Sequence, residues 1–119
     1  MTIDAFIRTA SESPLRAQDI QAAADSLGVS ILELYDLFAK RVAQGYLGGE
    51  LSYTIADAAM SELFGYAYPG GGPELSRLAW QVYEAFDEGE YLHNGEPAEQ
   101  QGEVRTRLLL ARITELRDA

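Results

Sequence analysis

The segment Ile20-Gln-Ala-Ala-Ala-Asp-Ser-Leu-Gly-Val-Ser-Ile-Leu-Glu-Leu-Tyr-Asp-Leu-Phe-Ala39 reads as two helices joined by a tight turn. Its apolar residues recur at spacings of three and four, the period of a helix with one buried face. Leu27, Val29, Leu34 and Leu37 form the expected buried set, and Ala24 is the small residue where the two axes approach. Gly28 falls at the turn, where a positive φ carries no steric cost for glycine. Ser30 is placed to cap the second helix by accepting an otherwise orphaned amide, and Glu33, three residues on, completes a capping box.

The helical period continues on both sides. A first helix is expected from Ile3 to Ala10, ending ahead of Ser13-Pro14 because the residue before proline avoids the helical region. The second starts near Leu15, and the third runs to Ala43 or Gln44, broken by Gly45, Gly48 and Gly49. Ser52 or Thr54 opens a fourth that reaches Phe64 and stops at Gly65. The run from Tyr66 to Glu74 is a loop, with Pro73 and Glu74 suited to the first turn of a fifth helix. That helix carries Leu75, Leu78, Val82 and Phe86 on one face with Trp80 and Tyr83 alongside, and Gly89 ends it. After a polar, loop-like segment, a last helix from Glu103 to Leu116 is expected to bury Val104, Leu108 and Ala111, with Leu109, Ile113 and Leu116 as further candidates. No sustained period-two alternation suggests a strand. The prediction is an all-α protein, an irregular or orthogonal bundle of five or six short helices in one domain spanning residues 1–119.

Residues 20–39 resemble the helix-turn-helix, the bihelical unit of many bacterial regulators, through Ala24, Gly28 and the Leu27, Val29, Leu34 and Leu37 set. The resemblance implies a second helix whose outer face, Ser30, Ile31, Leu32, Tyr35 and Asp36, would lie in the major groove. Apart from Ser30, that face is apolar, aromatic or acidic, and only Lys40, Arg41, Arg16 and Arg8 are near enough to meet phosphates. Ile31, Leu32 and Tyr35 of that face would also serve as the seam of a homodimer. A helix-turn-helix-like transcriptional regulator, or a dimerising regulatory protein, is therefore the alternative function.

Charge points elsewhere. Between Arg41 and Arg105 the sole cation is Arg77, set against Glu50, Asp57, Glu62, Glu74, Glu84, Asp87, Glu88, Glu90, Glu96, Glu99 and Glu103. The formal charge of −10 resides there, since the flanking parts nearly cancel. Such a field repels nucleic acid and anionic membranes and attracts basic surfaces. Apolar residues make up 47% of the 119, so the chain can bury a core. It has no apolar run near the roughly 20 residues that span a bilayer. Neither a signal peptide at Met1-Thr2-Ile3-Asp4 nor any cysteine is present, which predicts a cytoplasmic protein without disulfides or thiolate chemistry.

Catalytic patterns are thin. Glu90 and His93 have the Glu-x-x-His spacing of di-iron bundles, but that site needs two such pairs and further glutamates, so no metal is expected. Asp87, Glu88 and Glu90 lack the calcium-loop pattern. Gly70-Gly71-Gly72 has no following Lys-Ser or Lys-Thr, and the serines have no histidine companion for a triad. The expectation is a non-enzymatic protein without cofactor: a small acidic binding module, in concrete form an inhibitor or immunity-type protein that engages a basic protein surface. Asp87, Glu88, Glu90, Glu96 and Glu99 would steer the partner, and Tyr91, Tyr66 and Tyr68 would anchor it. The arginines of the last helix, Arg105, Arg107, Arg112 and Arg117, are the groups able to neutralise that field from within.

Overall fold

Each of the first five helices starts at a residue that engages the free amides of its first turn or positions a partner to do so. A computed structural model describes residues 1–68, 73–90 and 102–116. Thr2 accepts from the Ala5 amide and opens α1 (Ile3–Glu12). Arg16 precedes α2 (Ala17–Leu27), where Asp19 turns back to accept the Arg16 amide at 2.9 Å. Gly28 ends α2 in the left-handed conformation at φ 70°, as its place in the sequence requires. Ser30 and Glu33 then form the reciprocal box, with amide-to-side-chain distances of 3.1 and 3.0 Å, and open α3 (Ile31–Leu47). Ser52 opens α4 (Tyr53–Ala67), and Ser76 opens α5 (Arg77–Glu88). Gly102 leads into α6 (Glu103–Ala111), followed by a single 3-10 turn, Thr114–Leu116. The described residues contain six helices and no strand, which is the expected all-α architecture.

Several boundaries differ from the sequence pattern: α1 runs on past Ala10 to Glu12, α2 starts at Ala17 rather than Leu15, and α6 ends at Ala111 rather than Leu116. Gly45 and Gly65 lie inside α3 and α4 rather than ending them. A glycine costs a helix about 1 kcal/mol, which tertiary packing outweighs here. Pro73 and Glu74 precede α5, because Ser76 offers the hydroxyl cap that proline cannot.

α3 is the central helix. It packs against α1, α2, α4 and α5 and buries Leu34, Tyr35, Phe38, Ala39, Val42, Ala43 and Tyr46. Phe6 of α1 meets Phe38 edge-on at 5.7 Å between ring centres. α4 closes on α1, and the Leu15 amide just ahead of α2 donates to the Glu62 carboxylate at 3.0 Å. On the surface Arg41 bridges Asp4 at 2.8 Å and Glu50 at 2.6 Å, tying α1 to the segment after α3. Leu37, expected inside, is 42% exposed. The buried stripe of α3 runs 34, 35, 38, 42, so that residue 37 falls on its outer edge.

The largest departure is in α6. Val104, Leu108 and Ala111, expected inside, are exposed, Thr106 and Leu110 are buried instead, and Ile113 is buried as the sequence allowed. Leu109 and Leu116 pack partly against the core. A hydrogen bond fixes this rotation. The Gly89 amide folds back to Phe86 O, three residues away, so it is not available to Ala85 O. Thr106 supplies the donor, its hydroxyl reaching Ala85 O at 2.8 Å from within the core. From the other side Tyr53 donates to Phe86 O at 2.6 Å. Thr106 thus replaces the amide that Ala85 O lacks, and Tyr53 is a second donor to Phe86 O beside the Gly89 amide.

Gly89 stands between these two hydroxyls. A Cβ there would overlap Thr106 Oγ1 and lie 2.8 Å from Tyr53 Oη, whereas one at Gly65 would meet nothing within 4 Å. Gly89→Ala is therefore expected to destabilise the fold by about 1–3 kcal/mol. Gly65→Ala is expected to stabilise it by roughly 0.5–1 kcal/mol. Chemical denaturation of the two variants checks the pair, and equal effects would contradict this junction.

Candidate protein-binding surface

α4 and α5 run side by side in opposite directions, with Tyr68 beside Trp80 at one end and Tyr53 beside Phe86 at the other. The surface along this seam has an aromatic half and an acidic half.

The aromatic half is a four-ring stack. Phe64 and Tyr83 lie face to face at 4.1 Å with planes 7° apart, and Tyr68 stacks on Phe64 at 5.1 Å. Trp80 touches the other three at 5.7, 6.0 and 5.8 Å and remains 38% exposed. The geometry follows from helix spacing: Phe64 and Tyr68 are four apart on α4, Trp80 and Tyr83 three apart on α5.

The acidic half lies one turn further along. Asp57 on α4 faces Asp87 on α5 and Glu90 just beyond it. Burial pushes the Asp57 carboxyl up from 3.8 to about 7, helped by a hydrogen bond to Glu90 and by the charges of Glu90 and Asp87. Asp87 is raised as well, by burial first and then by Glu90, Glu88 and Glu84. A carboxyl that hydrogen-bonds to another carboxylate must carry a proton, and Asp57, raised to about 7, is the one that does so near neutrality. The charges acting on both aspartates are acids. Even so, among the described residues no His, Asp and Glu side chains are grouped to hold a metal ion.

The opposite side of α5 is balanced. Glu84 and Glu88 share an open cleft of about 420 Å³ with Arg105 and Arg112, floored by Ala85, Leu109 and Ile113. The arginines of α6 thus accompany Glu84 and Glu88, while Asp87 and Glu90 turn to α4. Arg107 lies over the Tyr46 ring at 4.8 Å, and the Tyr46 hydroxyl donates to Glu103 at 2.9 Å.

Of the residues read from sequence as steering or anchoring groups, Asp87 and Glu90 come together, joined by Asp57. Glu88 belongs to the cleft with the arginines. Tyr68 is in the ring stack, but Tyr66 is only 8% exposed and caps the core, too enclosed to anchor a partner. Tyr91, Glu96 and Glu99 lie outside the described residues, as do His93 and Gly70-Gly71-Gly72. Phe64, Trp80, Tyr83 and Asp57 are the members that sequence reasoning missed. Two aromatic pairs at helical spacing, on helices joined by a short glycine-rich connection, were the available signal.

The helix-turn-helix-like face is also altered. Ser30 and Leu32 are exposed, and Ile31 and Asp36 are partly so. Tyr35 is fully buried, and its hydroxyl donates to Pro73 O at 2.7 Å. It cannot contribute to a groove-reading face or a dimer seam, because the start of the α5 segment covers it. Among the described residues no helix is long and apolar enough to cross a membrane. The chain matches no known family model, no curated protein and no solved structure.

The raised Asp57 carboxyl sets a pH dependence. An acid whose folded pKa exceeds its unfolded value stabilises the fold fully below about 3.8, and that contribution is lost as pH rises through about 7. Stability is expected to fall between about pH 5 and pH 8, and Asp57→Asn is expected to flatten that fall. Denaturant midpoints of wild type and variant at the two pH values measure it. An equal slope in both proteins would remove Asp57 as the cause.

Proposed function

We propose that the protein is a small, acidic, non-catalytic binding module that engages a basic surface of another protein. Its concrete form is an inhibitor or immunity-type protein acting on a toxin or enzyme that handles nucleic acid, the kind of target that carries such a basic surface. One observation supports this reading: the Asp57, Asp87 and Glu90 cluster, whose acting charges are all of one sign while Arg105 and Arg112 line the cleft on the other side of α5. A field of that kind raises encounter rates with cations and rejects nucleic acid. The absence of cysteine suits action in the cytoplasm.

The mechanism is steering followed by docking. Long-range attraction aligns a basic partner with the acidic end of the α4–α5 seam, and short-range contact then holds it. A partner recovered by affinity capture is expected to associate roughly tenfold more slowly at about 500 mM than at about 50 mM salt. Asp87→Asn combined with Glu90→Gln is expected to lower the association rate several-fold with a smaller change in dissociation. Stopped-flow association across the salt series is the measurement. An association rate indifferent to salt would exclude the steering role.

A further inference from the structure

Resting on the reading above, the ring stack has a role of its own. We propose that Phe64, Tyr68, Trp80 and Tyr83 form the socket for an arginine side chain of the basic partner, its guanidinium laid against the exposed indole face of Trp80.

The rings are already in place. Phe64 is stacked against Tyr83 at 4.1 Å and Tyr68 at 5.1 Å, so little side-chain freedom is left to lose on docking. Trp80 completes the group with over a third of its surface open. A partly open tryptophan on a rigid aromatic base has the make-up of a binding hot spot.

The surroundings choose the occupant. Asp87 follows Tyr83 by one helical turn, so a carboxylate borders the rings on the C-terminal side. Asp57 continues the acidic edge across α4. Arg77 lies one turn before Trp80, at the other edge, and directs an incoming cation towards the Asp87 side. The negative π face of indole attracts a cation, and a guanidinium, planar and weakly hydrated, can stack there while its edge donates to a carboxylate. A second copy of this chain fits poorly, since each brings a formal charge of −10. A neutral apolar segment would bury the bordering carboxylates without compensation.

Trp80 is the chain's single tryptophan, so its emission reports on the socket alone. The probes are a blocked hexapeptide of alternating glycine and arginine and its citrulline counterpart, which keeps the shape and loses the charge. The arginine peptide is expected to change Trp80 emission saturably and to bind at least about fivefold more tightly than the citrulline peptide. Trp80→Leu is expected to weaken binding about tenfold, followed through backbone amide shifts, with Trp80→Phe intermediate. The Phe variant and the wild-type emission titration keep the test decisive should the Leu variant fold poorly. Equal binding of the two peptides would overturn the socket. So would self-association in sedimentation that Trp80→Phe abolishes, because a second copy would then own the face. Shifts at Asp57 and Asp87 with Trp80 emission unchanged would overturn the socket and leave the acidic-module reading standing. A peptide that perturbs neither place would overturn both.

Discussion

The last turn of α5 holds the molecule's arrangement in place. Two of its carbonyls, Ala85 O and Phe86 O, are satisfied by hydroxyls from different helices, Thr106 of α6 and Tyr53 of α4. A buried carbonyl without a donor costs a few kcal/mol, which confines Thr106 to a narrow range of positions. Tyr53, itself partly buried, places its hydroxyl on a carbonyl that the Gly89 amide also reaches. The absence of a side chain at Gly89 lets both approach. Rotating α6 by one residue would withdraw Thr106 and expose Leu110, and sliding α4 would withdraw Tyr53. One helix end therefore positions three helices.

That placement determines how charge is displayed. α5 becomes a partition, with α4 on one flank and α6 on the other. Its acids follow helical geometry: Glu84 and Glu88, four apart, share the α6 flank with Arg105 and Arg112, while Asp87 points to α4 and meets Asp57. A surplus that looks uniform along the sequence becomes a balanced cleft and a concentrated cluster. The cluster is crowded enough that Asp57 keeps a proton near neutrality, the response expected when desolvation and like charge act together. The ring stack adjoins this cluster because both occupy the same seam.

The sequence disclosed most of the local structure. Gly28, Ser30 and Glu33 act through neighbouring backbone, so their roles follow from spacing alone, and the structure has them as expected. The fate of α6 was hidden. Val104, Leu108 and Ala111 make as good an apolar stripe as the buried side does, and the deciding group is a threonine that pairs with a carbonyl twenty-one residues earlier. Tyr35 was obscured for a similar reason: its hydroxyl has a partner at Pro73, which permits burial that position on the helix would not suggest. The candidate surface was half visible. Asp87 and Glu90 showed in the charge count, but Asp57 and the stack depend on which flank of α4 faces α5, a property of packing.

The helical corner at residues 17–47 has a further consequence, in the dynamics of the native state. α2 packs chiefly on α3 and contributes Ile20, Ala23 and Ala24 to the interior, so only one large side chain is fully committed. Its release would expose far less apolar surface than undoing the α3–α4–α5 core, and native proteins open first where such attachment is least. α2 is then a separate cooperative unit: its amides exchange with solvent through a local opening, while those of α3 wait for global unfolding.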